Sequence, residues 1–313
     1  MTRRSPSRST NGTRFPARSR PVSGATRSAT NASRWALLGG VIAAIAVFAL
    51  ILTLSGGDDD RAATGSGPVE LEHVHGLGVN PGDGDLYAGS HYGLIRIPEQ
   101  GEPTRVGGLV QDFMGFTVVG ADRFLASGHP GEDQNGPANL GLIESTDGGR
   151  SWHTVSLAGE ADFHALEAKH GMVYGSSGGR VMVSQDGRTW ETRASLPLAD
   201  LAVSPDDPDT MLATTEQGLA RSTDGGRTFR LFGDAPLLAL ITWSADGSLV
   251  GIAPDGTVHA SDDGGATWDQ RGSAGGAPEA LTTDGEVVHV AVRGGIVTST
   301  DGGRTFRTRY AES

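Results

Sequence analysis

The 313 residues include 25 basic and 37 acidic side chains, 48 glycines and no cysteine. The absence of cysteine excludes disulfides and thiolate metal sites, and so many glycines favour short strands and tight turns over long helices. Eight arginines and no acid precede residue 58, whereas the chain from Gly56 onward holds 17 basic and 37 acidic residues, a net charge of −20. A domain this acidic should repel nucleic acid, so we expect no nucleic-acid partner.

The N-terminal part predicts a membrane anchor. Residues 1–34 are basic and too polar to build a core, which predicts a disordered cytoplasmic tail. Residues 35–55 contain 20 uncharged residues starting at Trp35, enough to span roughly 30 Å of bilayer as a helix. The arginines before this stretch place the N-terminus in the cytoplasm and the rest of the chain outside. A cleaved signal peptide is the alternative, but its apolar region would be shorter. We predict a single-pass cell-membrane protein whose residues 56–67 form a linker.

Five segments repeat in residues 68–313 at intervals of 38 or 39 residues. They share the pattern Ser-x-Asp-Gly, followed by Arg-Thr or a close variant and then Trp or Phe, and we call them the repeat hairpins. Asp-Gly and Gly-Gly pairs favour tight turns, the aspartate can accept amide hydrogen bonds within its own turn, and the ring can pack between sheets. The sequence therefore assigns a structural role to their aspartates: Asp147, Asp186, Asp224, Asp263 and Asp301.

Each repeat follows one order: strand, turn, strand, strand, repeat hairpin, strand. Six such units of about 40 residues predict an all-β, six-bladed β-propeller over residues 68–313. The first unit has Ile95-Arg-Ile-Pro98 in place of a repeat hairpin, and the second carries an insertion at residues 129–139.

The repeat hairpins resemble the Asp-box (BNR) repeats of sialidases, sortilin-type receptors, xyloglucanases and photosystem II assembly propellers. The order His73-Val-His-Gly-Leu-Gly, Asp112-Phe-Met-Gly-Phe, Ser127-Gly-His-Pro and Asp162-Phe-His resembles, more narrowly, a group of bacterial membrane-anchored propellers filed as glycosylhydrolase-like. The resemblance covers residues 70–309 and implies the fold. It implies little about activity, because such repeats occur in proteins with many unrelated activities.

Five of the nine histidines fall where first strands begin and second strands end, which is one face of a propeller. His73 and His75 are two residues apart, so on a strand both rings point to one side, and two imidazoles can reach one metal ion. An Asp or Met from the neighbouring blade can complete such a site. We predict that this face binds a divalent or copper ion, or a small-molecule, glycan or protein ligand. The candidate residues are His73, His75, His91, Asp112, Met114, His129, Asp162 and His164.

The other histidines are expected to be structural or to lie on the surface; they are His153, His170, His259 and His289.

Two other functions stay open from the sequence. Ile95-Arg-Ile-Pro98 resembles the Arg-Ile-Pro motif of sialidases, but Arg96 falls on a third strand, and Tyr92 has no evident Glu partner. A glycosidase carboxylate pair could also be drawn from several acids, and spacing alone does not choose among them. Those acids are Asp112, Asp162, Asp200, Glu216 and Glu279. The third function is that of a protein-interaction scaffold in the cell envelope.

Overall fold

The computed structural model describes residue 69 and residues 71–108, 110–131 and 134–312. The predicted tail, anchor and linker (1–34, 35–55 and 56–67) lie outside these residues. Within the described part of the chain, no helix is long and apolar enough to cross a membrane.

The described residues form an all-β, six-bladed propeller, as the sequence predicts. Each blade is a sheet of four consecutive antiparallel strands, paired in chain order. Blades 1 to 3 comprise β1 (Val74–Val79), β2 (Leu86–Ser90), β3 (Gly93–Ile97) and β4 (Thr104–Val106); β5 (Asp112–Gly120), β6 (Arg123–His129), β7 (Leu142–Ser145) and β8 (His153–Ser156); and β9 (Ala165–Lys169), β10 (Met172–Ser177), β11 (Arg180–Ser184) and β12 (Trp190–Ser195).

Blades 4 to 6 comprise β13 (Asp200–Val203), β14 (Met211–Thr215), β15 (Gly218–Ser222) and β16 (Arg230–Leu231); β17 (Leu240–Trp243), β18 (Leu249–Ile252), β19 (Thr257–Ser261) and β20 (Asp269–Ser273); and β21 (Pro278–Asp284), β22 (Val287–Val292), β23 (Gly295–Ser299) and β24 (Arg307–Ala311).

The ring closes without exchange of a strand. The first strand of each blade contacts the first strands of its two neighbours, and β1 contacts β21 in the same way. Side chains at the two ends of the domain join this seam: the Tyr310 hydroxyl donates to Val69 O at 2.8 Å, and Glu312 accepts the Leu71 amide.

Small residues let the first strands approach each other around the axis. A Cβ on Gly76 would lie 2.8 Å from the carbonyl oxygen of Phe116, and one on Gly115 would lie 2.4 Å from that of Phe163. Neither contact could be accommodated without moving the backbone. Glycine at these two positions therefore allows blades 1, 2 and 3 to meet closely.

The hydrophobic core is divided into six clusters, one for each junction between blades. Aromatic residues of the repeat hairpins pack into these junctions, as predicted. The Trp190 ring stacks on Phe163 with centroids 4.7 Å apart, and Trp152 packs against Phe113 at 5.1 Å. Burial of such rings stabilises each blade against its neighbour.

The repeat hairpins join third and fourth strands, on the face opposite the predicted site, and those of blades 2, 4, 5 and 6 share one hydrogen-bond pattern. In the fourth blade the Ser222 hydroxyl donates to Asp224 at 2.8 Å and accepts the Gly226 amide at 2.9 Å. The Asp224 carboxylate also accepts the amide and hydroxyl of Thr228. In the second blade, hydrogen bonds from the Ser151 hydroxyl and amide lower the pKa of Asp147 to about 2. These bonds hold the Asp147 and Asp224 carboxylates within their own turns.

Candidate functional site

The predicted site residues lie at one face of the propeller, where first strands begin and second strands end. His73 and His75 lie at the start of β1, and His91 follows the end of β2. Asp112 and Met114 lie at the start of β5, and His129 ends β6. Asp162 and His164 immediately precede β9. All eight therefore belong to blades 1 to 3.

Three of these histidines converge, and we call His73, His75 and His91 the histidine trio. Their ligand nitrogens all lie within 4.8 Å of one another. The closest pair is His75 Nε2 and His91 Nε2, at 3.3 Å. The rings of His73 and His75 are stacked with centroids 5.9 Å apart, so both point to the same side.

The backbone at the first member of the trio is strained. His73 has φ of 47°, in the left-handed region that few residues other than glycine adopt. The next residue, Val74, is buried, and its amide donates to Glu279 Oε2 of the sixth blade at 3.1 Å. This bond across the ring seam fixes the chain where His73 turns towards the other two rings. Non-glycine residues in such conformations are concentrated at functional sites.

A carboxylate of the neighbouring blade orients His91. The Nδ1 atom of His91 lies 2.6 Å from Asp112 Oδ1, so Nδ1 carries the proton and the Nε2 atom faces His75. This hydrogen bond raises the pKa of His91 above its usual value. A carboxylate behind an imidazole is also the arrangement that orients metal-binding histidines in proteins.

The central imidazole of the trio is kept neutral. Burial, together with the charge of neighbouring His91, lowers the pKa of His75 to about 4. Above that pH the ring therefore retains a lone pair on one nitrogen. A neutral imidazole is the form that binds a metal ion.

A second polar group lies beside the trio. Asp162 Oδ2 is 2.9 Å from His164 Nε2 and 3.5 Å from His129 Nε2, while His129 Nδ1 is 2.8 Å from the carbonyl oxygen of Ala138. Although burial opposes ionisation, the bond from His164 lowers the pKa of Asp162, and the same bond raises the pKa of His164. His75 also lies close enough to contribute to the shift of Asp162 when it is protonated, so the two groups share one electrostatic environment.

The acids proposed for a glycosidase pair have other partners. Asp112 and Asp162 pair with histidines. Asp200 Oδ2 accepts the Ile241 amide of the next blade at 2.9 Å, and Glu279 accepts that of Val74. Glu216 is exposed. Apart from Glu216, these acids are thus divided between histidine pairing and contacts between blades.

Arg96 of the sialidase-like motif lies away from this face. Arg96 binds Asp85, with Nη2 to Oδ2 at 2.5 Å, and also contacts Asp83 at 3.5 Å. Tyr92 follows His91 and is exposed. The described residues therefore do not bring Arg96 and Tyr92 into one site.

Sequence reasoning missed a polar contact near the propeller axis. Lys169, the only lysine in the chain, donates to Val203 O and to Trp243 O, both at 2.8 Å, and pairs with Glu167 at 2.9 Å. One side chain therefore joins blades 3, 4 and 5. That the chain has a single lysine could have drawn attention to this residue, but nothing in the local sequence indicates its partners.

The chain matches no family model, and no curated protein matches it. Solved structures match over most of the propeller. They include a gluconolactonase from Xanthomonas campestris (15% identity, TM-score 0.57, covering 71% of this chain and 84% of that one). A chain of the nidogen–laminin complex has 11% identity and a TM-score of 0.57, covering 72% of this chain and 92% of that one. An ancestral GH74 enzyme has 17% identity and a TM-score of 0.51, covering 79% of this chain but only 40% of that one.

These three proteins have different functions, and their identity to this chain is low. The likeness shows a shared β-propeller fold and nothing about a shared activity.

Proposed function

We propose that this protein binds a transition-metal ion through His73, His75 and His91. The observation that carries the proposal is the convergence of three ligand nitrogens within 4.8 Å at one end of the first blade. The strained backbone of His73 and the Asp112–His91 hydrogen bond support it, because both hold a ring in a fixed direction. The net negative charge of the domain favours a cation.

The spacing of the rings fits a metal ion with tetrahedral geometry. Nitrogens bound to Zn²⁺ at about 2.0–2.1 Å lie about 3.3–3.4 Å apart along a tetrahedral edge. The 3.3 Å between His75 Nε2 and His91 Nε2 agrees with that edge. A small rotation of the His73 side chain would complete the set. Three imidazoles suit Zn²⁺ or Cu²⁺ better than Mg²⁺ or Ca²⁺, which prefer oxygen ligands.

Three protein ligands leave a fourth position for water or a ligand. Asp162, His129 and His164 lie in the same electrostatic environment and could accept hydrogen bonds from a molecule bound there. We therefore propose that a small ligand binds at this face through the metal. Met114 is half-buried in the strand that begins with Asp112, and its part as a further, softer ligand stays a prediction.

A hydrogen bond between His75 and His91 is the alternative explanation for the short distance between their Nε2 atoms. Metal titration distinguishes the two. The full-length chain, stripped with a chelator, should bind about one Zn²⁺ or Cu²⁺ per molecule by calorimetry and elemental analysis. Bound Co²⁺ should give the strong visible absorption of a tetrahedral site.

His73→Ala, His75→Ala and His91→Ala should each abolish the Co²⁺ spectrum. The matched control is His153→Ala, an exposed histidine on the opposite face. Equal metal content in the wild type and in a His73→Ala/His75→Ala variant would overturn the proposal, provided that both show the same β-sheet circular dichroism.

A glycosidase remains the second candidate. Its support is the fold shared with the GH74 enzyme and the presence of Asp112 and Asp162 at the same face. Hydrolysis of a panel of aryl glycosides that is lost in Asp112→Asn or Asp162→Asn and insensitive to chelators would favour it over metal binding. Capture of one envelope protein independently of the trio would instead favour a scaffold.

We also propose that residues 35–55 anchor the propeller outside the cell membrane and that the repeat hairpins are Asp-box repeats. The support for the anchor is the uncharged stretch that follows eight arginines. Single cysteines introduced at Ser7 and at exposed Thr223 test the topology. A membrane-impermeant maleimide added to intact cells should label only the second, and labelling of neither, or of both, would contradict it.

A further inference from the structure

The repeat hairpins are tied to the first turn of their own blade. In blades 2, 4 and 6 the first glycine of the hairpin donates its amide to a carbonyl between the first and second strands. These bonds are Gly148 to Asp122 (2.9 Å), Gly225 to Asp209 (2.9 Å) and Gly302 to Glu286 (3.1 Å). In blade 5 the corresponding glycine, Gly264, lies against the indole of Trp243, which donates to Gly247 O at 3.1 Å. In all four blades the hairpin and the turn are therefore in contact.

The hairpin of blade 3 is one residue shorter, because Asp186 is followed by a single glycine. Its hydrogen bonds identify the missing residue. Gly187 O accepts the Trp190 indole at 3.2 Å, as Gly265 O, the second glycine of its hairpin, accepts that of Trp268 at 3.0 Å. Gly187 thus takes the place of the second glycine. The residue that is absent is the first glycine, which ties the hairpin to the turn in blades 2, 4 and 6.

A cavity of about 460 Å³ lies at this place. It is bounded by the short hairpin (residues 185–187), by the turn of blade 3 (residues 168–173) and by the facing side of blade 2. It lies on the hairpin face, opposite the histidine trio. The missing glycine therefore coincides with a larger opening than the cavity of about 140 Å³ that lies beside the full-length hairpin of blade 6.

The lining combines an apolar floor with polar groups around the opening. The floor consists of Leu125, Leu142, Val155 and Val173. At the rim the Arg123 Nε atom lies 2.6 Å from Glu144 Oε1, and the Arg123 side chain is 58% exposed. Gln185 is also exposed on the hairpin side. Planar guanidinium, carboxylate and amide groups around an apolar floor suit a ring that has hydroxyls on its edge and C–H groups on its face.

We propose that this cavity is a second ligand site, separate from the histidine trio, and that it binds a carbohydrate unit of monosaccharide size. The apolar floor would contact the C–H face of a pyranose, while Arg123, Glu144 and Gln185 would bind its hydroxyls. The charges at the rim are paired, so a neutral sugar should bind at least as well as an acidic one.

Saturation-transfer NMR on the full-length chain in lipid nanodiscs tests the site. The probes are methyl glucoside, methyl N-acetylglucosaminide and glucuronate at millimolar concentration. Cyclohexanecarboxylate serves as a ring without hydroxyls. At least one neutral sugar should receive saturation, and the control compound should not. The absence of transfer to all three sugars, or equal transfer to the control compound, would overturn the proposal.

Two variants locate the binding. Insertion of one glycine after Gly187 restores the repeat length and should close the cavity, weakening sugar binding at least tenfold. Gln185→Trp should fill the cavity with the same effect. The matched control is Thr223→Trp, the same substitution at the equivalent exposed position of the blade 4 hairpin, which is bonded to its turn through Gly225. Undiminished binding by both variants, with wild-type circular dichroism and unchanged metal affinity, would contradict the assignment.

Discussion

Blades 1 to 3 and blades 4 to 6 share strand order and pairing but use the start of the first strand differently. In blade 4, Asp200 accepts the Ile241 amide of blade 5, and in blade 6, Glu279 accepts the Val74 amide of blade 1. In blade 5 the corresponding residue is Leu238, which is buried and packs against Gly251. The side chains of this half therefore hold the ring together.

In blades 1 and 3 the equivalent positions carry His75 and His164, whose rings contact other polar side chains at the face of the histidine trio. Further contacts between blades are made from other positions here. Ser127 Oγ accepts the Phe163 amide at 2.9 Å, and Glu167 accepts that of Val203 at 2.7 Å. Because Ser127 and Glu167 stabilise these junctions, the His75 and His164 side chains at the face of the histidine trio are available for a ligand. We therefore expect substitutions at these positions in blades 4 to 6 to lower stability, and those in blades 1 to 3 to affect the proposed binding.

The largest expected effect is on metal affinity, and it should be confined to the first half. His75→Ala and His91→Ala should weaken Zn²⁺ binding at least 100-fold, because each removes one of three ligands. Asp112→Asn should weaken it about 10- to 100-fold through the orientation of His91. Asp200→Ala should leave it unchanged. Competition with a chromophoric chelator measures the Zn²⁺ dissociation constants of all four variants. An equal loss of Zn²⁺ affinity in Asp200→Ala would contradict the proposed difference between blades 1 to 3 and blades 4 to 6.

Much of this fold can be predicted from the sequence, because the fold repeats. The period of the repeat hairpins sets six blades of four strands. The alternation of strand starts and ends then places all eight candidate residues at one face. The spacing of His73 and His75 predicts that their rings share one side, but His73 precedes β1 with φ of 47°, so their stacking depends on this turn and not on a strand repeat. The blade count and the positions of strand ends can be predicted because they depend on residues that are close together in the chain.

The partners of individual side chains could not be predicted, because they come from other blades. Nothing near Glu279 indicates that it bonds the residue after His73, some 200 positions earlier in the chain. Lys169 likewise reaches two other blades. The missing glycine of the blade 3 hairpin is visible in the sequence, but the cavity beside it is seen only in the structure.

A buried histidine in the second half should make stability sensitive to acid. Burial, with Arg309 nearby, lowers the pKa of His289 to about 4 in the folded protein, against about 6.5 when unfolded. Between these two pKa values the unfolded state binds more protons than the folded state. The free energy of unfolding therefore decreases as pH falls from 6.5 to 4, by up to about 3 kcal/mol.

His289→Leu tests this effect, since leucine occupies the equivalent position in blades 2 and 4. The variant should flatten the decline in stability between pH 6.5 and 4, measured by urea unfolding at several pH values. An unchanged slope would show that His289 titrates normally in the fold.

The carboxylates that bridge blades should matter for stability and not for binding. Asp200→Ala leaves two amides without their acceptor, those of Leu201 and Ile241. We expect a loss of about 2 kcal/mol in the free energy of unfolding. His164→Ala, at the equivalent position of blade 3, should cost less than about 1 kcal/mol because its ring is largely exposed. Equal losses of stability in Asp200→Ala and His164→Ala would mean that this position has the same role in blades 3 and 4.

The smallest expected effect compares a regular repeat hairpin with the short one. Ser222→Ala removes the acceptor of the buried Gly226 amide and a donor to Asp224, which should cost about 1 to 2 kcal/mol. Ser184 donates to Asp186 at 3.1 Å in a hairpin that lacks one glycine, so Ser184→Ala should cost about half as much. Thermal unfolding of the two variants measures the difference. If Ser184→Ala proved the more damaging, the short hairpin would be held by its serine more tightly than the regular ones, and an open cavity beside it would be hard to maintain.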